Sequence, residues 1–184
     1  MVEGFSGKAQ RTCVLTTIMK VKVNISNFTM CSSSGKEGDN VRTPKPVKSV
    51  SEDLLEVAVS FHGHLGPFLA LGLKAGLYAV EVLGKEPFET KAVVRTEPRP
   101  PRSCFVDGVQ ITTGCTMGKG NIALKDGEGL SILISRREKR LLLKVKADVL
   151  RAAEEVTSKN MERIALSILE RSAQDLFEIE EATE

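Results

Sequence analysis

Side chains capable of chemistry are concentrated in two stretches of the chain, His62–Pro67 and Cys104–Asn121. The two histidines of the sequence, His62 and His64, stand two residues apart in Phe61-His62-Gly63-His64-Leu65-Gly66-Pro67. Positions i and i+2 face apart on a helix and share a face in extended backbone. Gly63 and the Gly66-Pro67 break favour the extended form, which lets both imidazoles reach one ion. Their nitrogens suit zinc or iron at neutral pH. A helix opening at Pro67 adds unpaired amides and partial positive charge, a setting that stabilises a carboxylate or phosphate. The plainer alternative is a pair of surface histidines beside a helix end.

The second stretch packs polar residues and glycines more densely than a core requires. Gly114, Gly118 and Gly120, with Thr116 and Asn121 among them, allow backbone amides to turn inward as an anion-binding nest. Cys115 lies among these amides with Lys119 close in sequence, so a lowered thiol pKa and a partial thiolate are expected. Thiolate either binds metal or attacks an electrophile. Cys104 reads equally as a buried inert thiol, Asp107 as a helix cap, and Gln110 as a surface amide. Arg99 and Arg102, on the stiff loop Glu97-Pro98-Arg99-Pro100-Pro101-Arg102, either clamp an anion or stay solvated. A phosphate-binding P-loop is excluded: Gly114 and Gly118 enclose three residues where that motif needs four, and Gly120 follows Lys119 in place of Ser or Thr.

These residues need elements to position them. Ser49 with Glu52 fits a capping box, and Leu54, Leu55, Ala58, Val59 and Phe61 give the following helix an apolar face that ends by Gly63–Gly66. Pro67 opens a second helix that runs to about Leu83, with Gly84 at the stop. Its small residues Ala70, Gly72, Ala75, Gly76 and Ala79 permit close approach, so it is predicted to be the central buried helix. Strands are expected near Lys91–Thr96, Ile122–Leu124, Leu130–Ser135 and Leu141–Lys146, with a turn or short helix after Asp107-Gly108. Residues from about Asp148 to Phe177 read as helical, interrupted near Thr157–Asn160, and an acidic tail closes the chain. The fold class is α+β: an antiparallel β-sheet packed with a central buried helix and C-terminal helices.

Composition bounds the rest. The 184 residues are 41% hydrophobic and 27% charged, enough for one globular domain with a segment to spare. Residues 1–48 read as a basic leader, mobile or loosely attached, ahead of a domain over 49–184. Residues 1–50 hold eight Lys/Arg against three Asp/Glu, and the remainder eighteen against twenty-one. A slightly acidic body with 4% aromatics argues against nucleic-acid binding. Leu65–Gly84 is apolar but carries Lys74 and Glu81, which fits a buried helix better than a membrane span. The four cysteines, Cys13, Cys31, Cys104 and Cys115, match neither a C-x-x-C motif nor a disulfide framework. The expected location is cytoplasmic, with reduced thiols.

Phe-His-Gly-His-Leu-Gly-Pro at 61–67, Cys-Phe-Val-Asp-Gly-Val-Gln at 104–110 and Thr-Gly-Cys-Thr-Met-Gly-Lys-Gly-Asn at 113–121 together resemble the FmdE family of formylmethanofuran dehydrogenase subunits. The resemblance covers roughly residues 50–155. It implies an α+β domain, a homodimer, a bound divalent metal ion such as zinc, and a link to one-carbon metabolism of methanogenic type. There a molybdenum or tungsten enzyme makes formylmethanofuran, and its subunits are the implied partners. Carried over residue by residue, His62, His64, Cys104 and Cys115 are the metal-ligand candidates, with Asp107, Gln110 and Lys119 around them. Many members have Cys where this chain has Gly66, and the C-terminal four-cysteine module of some members has no counterpart after Cys115.

Three functions compete. The first is an accessory or catalytic metal-binding subunit with a small-molecule or anionic ligand, in which Cys115, His64 and Lys119 carry any chemistry. The second is a metal-independent enzyme of formyl or acyl transfer, with Cys115 as nucleophile and a histidine as base. The third is a non-enzymatic binding module built on the leader and on Arg136-Arg137-Glu138-Lys139-Arg140, a cluster more typical of a solvated turn.

Overall fold

The structure, a computed structural model, describes residues 50–183. The leader, Ser49 and the proposed boundary at residue 48 lie outside the described residues. Helix α1 spans Glu52–His62 and is capped by Ser51, whose hydroxyl accepts from the Leu54 amide at 3.3 Å. Two acidic residues, Glu52 and Asp53, complement the first turn. Helix α2 occupies Pro67–Leu83, as its proline start and glycine stop predict, and is buried along most of its length.

Strand β1 (Thr90–Thr96) follows, then helix α3 (Phe105–Thr113), preceded by a short 3₁₀ turn at Arg102–Cys104. Strands β2 (Ile122–Lys125), β3 (Leu130–Arg136) and β4 (Lys139–Val145) come next. Helices α4 (Ala147–Glu154), α5 (Met161–Glu170) and α6 (Ala173–Leu176) lead into strand β5 (Phe177–Thr183).

The sheet order is β2-β1-β3-β4-β5. It is mixed, where an antiparallel sheet was expected: β2 runs parallel to β1, with Ala92 opposite Ile122 and Val94 opposite Leu124. The reason is topological. Helix α3 starts before Asp107-Gly108 and serves as the crossover of a β-α-β unit, which returns the chain in the same direction. The acidic tail is also a strand. Phe177 and Ile179 alternate inward while Lys144 pairs with Glu180 at 2.7 Å across the β4–β5 ladder.

Period-two burial in β1, β3 and β4 sets Ala92, Val94, Ile132, Ile134, Leu141 and Leu143 into the core with α2. Helix α2 meets α3 at backbone distance. A Cβ on Gly72 would stand 2.1 Å from Phe105 O, and one on Gly108 would stand 2.5 Å from both Leu69 O and Leu73 N. Such neighbours are main-chain atoms that cannot rotate away. Gly108→Ala should therefore force the helices apart and cost about 1–3 kcal/mol, read as a fall in the urea midpoint at unchanged slope.

Lys74 is the charged residue of this core, 3% exposed, with Nζ donating to Leu169 O near the end of α5 at 3.2 Å. Burial lowers its pKa from the ordinary 10.5. Between that lowered value and 10.5 the unfolded chain binds more protons, so stability should rise with pH through this window. Urea titrations at pH 7 and 10 check this: the wild type should gain relative to Lys74→Met as pH rises.

Candidate functional site

Helix α1 ends where Gly63 adopts the left-handed conformation, φ 97°, and returns its amide to Val59 O at 2.8 Å. His62 is thus the last helical residue and His64 lies in the short link to α2, so the pair does not share one extended segment. The chain reversal nonetheless brings the rings together, with centroids 4.8 Å apart.

The first turn of α3 supplies the partner of His62. Nδ1 of His62 lies 2.7 Å from Asp107 Oδ2, and Oδ1 of the same carboxylate accepts from Gln110 Nε2 at 3.3 Å. Gln110 Oε1 in turn accepts from the Met117 amide at 2.9 Å. Asp107 and Gln110 are one turn apart on α3, which is why one helix face addresses both. These bonds join the histidine segment to the glycine-rich loop.

A carboxylate holding the Nδ1 proton leaves the lone pair of a neutral imidazole on Nε2. The His62 side chain is 9% exposed. Among the described residues, its Nε2 is the buried side-chain polar atom without a hydrogen-bond partner. Such an orphan costs about 1–3 kcal/mol. Around the neighbouring link, the point where a Cβ on Gly66 would stand is 3.2 Å from His64 Nε2 and 3.8 Å from the Met161 sulfur of α5. No local motif pointed to Met161, which arrives from 95 residues further along the chain.

The glycine-rich loop is organised differently from the expected nest. Its amides are occupied from within: Cys115 by Thr113 Oγ1, Thr116 by Asn121 Oδ1, Met117 by Gln110, Lys119 by Thr116 Oγ1, and Gly120 by Met117 O. Asn121 also donates to the carbonyls of Pro87 and Thr90, and Lys119 Nζ donates to Gly114 O at 2.9 Å. Gly114 is the left-handed cap of α3, and a Cβ on Gly118 would meet nothing within 4 Å. Thr116, Lys119 and Asn121 therefore knit the loop.

The thiols are also placed apart in role. Cys104 opens α3, half-buried, and its pKa is raised by burial and by the charge of Asp107. Cys115 is fully buried, with Sγ donating to Thr90 O at 3.5 Å on the sheet side of the loop. Burial pushes its thiol up, outweighing the Thr113 hydrogen bond and the Lys119 charge, so the expected thiolate is overturned. Among the described residues, no group of three or more His, Cys, Asp and Glu is disposed to hold an ion. His62 and His64 are brought together, while Cys115 faces the core.

The arginines of the proline loop are paired, Arg99 with Glu97 at 2.5 Å and Arg102 with Glu154 at 2.7 Å. Arg136 and Arg137 of the β3–β4 turn both hold Glu89, at 3.3 and 3.1 Å. These salt bridges favour the solvated-turn reading over a clamp for an anion. No helix among the described residues is long and apolar enough to cross a membrane.

The model of the family described as "FmdE, Molybdenum formylmethanofuran dehydrogenase operon" matches residues 61–183. A probable S-adenosyl-L-methionine-binding protein of Archaeoglobus fulgidus is 36% identical over 92 residues, covering 46% of this chain and 24% of that protein. The match thus takes in about a quarter of that relative's length. The crystal structure of a tungsten formylmethanofuran dehydrogenase FmdE-like protein from Syntrophus aciditrophicus has a TM-score of 0.53 at 21% identity. It covers 72% of each chain, and the likeness is one of fold.

The burial of Cys115 makes a direct prediction. Iodoacetamide at pH 7 should leave Cys115 unmodified in the folded protein and label it on unfolding in urea, read by peptide mass spectrometry. Rapid labelling of native Cys115 would contradict its position.

Proposed function

The chain belongs to the FmdE family, and from that premise we propose that it is a metal-binding member whose His62 and His64 hold one divalent ion. The proposed role is an accessory or catalytic subunit related to formylmethanofuran dehydrogenase in one-carbon metabolism. The observation that carries this reading is the buried, unpartnered Nε2 of His62, whose other ring nitrogen is held by Asp107. Carboxylate–histidine pairs of this kind orient imidazoles toward metals and raise their basicity.

The residues fit such an ion as a two-imidazole site. His62 is fixed by α3, and His64 stands beside it on the link. Structural zinc takes four ligands and catalytic zinc three with a vacancy. The further positions thus fall to donors beyond these two rings, or to water and substrate. When bound, such an ion supplies Lewis acidity toward an oxygen of the substrate. The chain's own contribution is to orient the rings through Asp107 and to hold Asp107 through Gln110.

A homodimer and docking onto molybdenum- or tungsten-enzyme subunits belong to the same proposal. Phe61 and Met117 are 62 and 59% exposed; Phe61 precedes His62 in the last turn of α1, and the Met117 amide donates to Gln110. Large apolar side chains left in solvent near a site suit an interaction surface. The alternative of a thiol nucleophile is weakened by the burial of Cys115.

Metal analysis of protein purified anaerobically without chelator tests the reading. Near-stoichiometric divalent ion is expected, lost in His62→Ala and weakened about 10–100-fold in Asp107→Asn. Wild-type protein that neither carries nor takes up an ion would remove it.

A further inference from the structure

We infer that Met161 supplies a third, soft donor beside His62 and His64, so that this site takes a monovalent soft ion, Cu(I), as well as or better than zinc. The inference rests on the reading of the two histidines as ligands and goes beyond it in assigning the thioether and the class of ion.

Three observations bring these donors into one neighbourhood, His64 lying beside His62 on one side and near Met161 on the other. The His62 side chain is nine-tenths buried with Nε2 unpartnered, and the His64 ring lies 4.8 Å from it between centroids. The point above Gly66 is 3.2 Å from His64 Nε2 and 3.8 Å from the Met161 sulfur. Gly66 is itself buried, so this spot is walled by the link on one side and by the first turn of α5 on the other. With glycine at 66, the room between the imidazole and the thioether is left unfilled by the link. α5 is held in place from within the core, where Lys74 grips Leu169 O.

The chemistry of this donor set selects the ion. Two neutral imidazoles and a thioether carry no charge. The carboxylate bonded to this pair, Asp107, has one oxygen on His62 and the other on Gln110. A monovalent ion carries less charge into this uncharged donor set than a divalent one does, so the set accepts either and favours the softer. Thioether sulfur is a soft ligand and favours Cu(I) over harder divalent ions, while imidazole serves both. Met161 thus acts as a specificity-determining residue.

The test uses the full chain with Cys13, Cys31 and Cys104 changed to Ser, so that these thiols do not bind copper. Under anaerobic reducing conditions, Cu(I) affinity is measured against bicinchoninate and zinc affinity against a chromophoric chelator. Met161→Leu, which conserves volume, should lower Cu(I) affinity at least ~10-fold and leave zinc affinity unchanged. X-ray absorption of the Cu(I)-loaded protein should show a copper–sulfur shell that Met161→Leu lacks. Unchanged Cu(I) affinity in Met161→Leu, with loss in His62→Ala, would overturn the role of the thioether and leave the histidine site standing. A wild-type copper spectrum with nitrogen neighbours alone would do the same without reliance on any variant. Failure of the protein to bind either ion would remove both readings.

Discussion

The site exists because two helices touch backbone to backbone. Gly72 and Gly76 of α2 and Gly108 of α3 leave no room for a Cβ; one on Gly76 would collide with Thr112 Oγ1. Wherever helices cross this closely, the side chains flanking the contact are set by main-chain geometry and not by their own rotamers. Asp107 is the residue before Gly108, and His62 is five residues before the start of α2. The crossing therefore fixes the Asp107 end of the His62–Asp107 pair, and His62, 45 residues earlier, reaches it from the end of α1.

From that crossing a line of hydrogen bonds runs outward: imidazole to carboxylate, carboxylate to amide, amide to the loop backbone at Met117. His62, Asp107 and Gln110 are all partly buried, a setting in which hydrogen bonds are strong and an unpaired group is costly. His62 Nε2 is the exception, and it stands at the inner end. The fold satisfies the other buried polar side chains among its described residues and leaves this lone pair open, which is the observation behind the proposed site. The same logic reads the glycine-rich loop the other way. Most of its amides are spent on its own carbonyls and side chains or on Gln110, and its cysteine is a core residue.

Helix α2 was legible from residues 67–84 because both of its ends carry covalent signals, a proline that fits the first turn and a glycine that stops the last. The strands near 90–96, 130–136 and 139–145 were legible from period-two alternation. The parallel pairing of β2 and the strand β5 were not. A short strand of four residues has no intrinsic direction, and Phe177-Glu178-Ile179-Glu180-Glu181 carries too little apolar surface to declare itself until β4 offers an open edge.

By itself the sequence determined which residues have the chemistry: two imidazoles at a helix break, a carboxylate and an amide one turn apart, and a proline and glycines that mark where helices begin, end and approach. Only the tertiary structure decided which of them meet. Residue type and spacing set reactivity and local conformation, whereas burial and distance arise from long-range packing. Packing turned Cys115 into the core and raised its pKa, and brought the Met161 sulfur of α5 to the link that carries His64. None of these outcomes is encoded within reach of the residue concerned, because each depends on an element that the chain adds later or elsewhere.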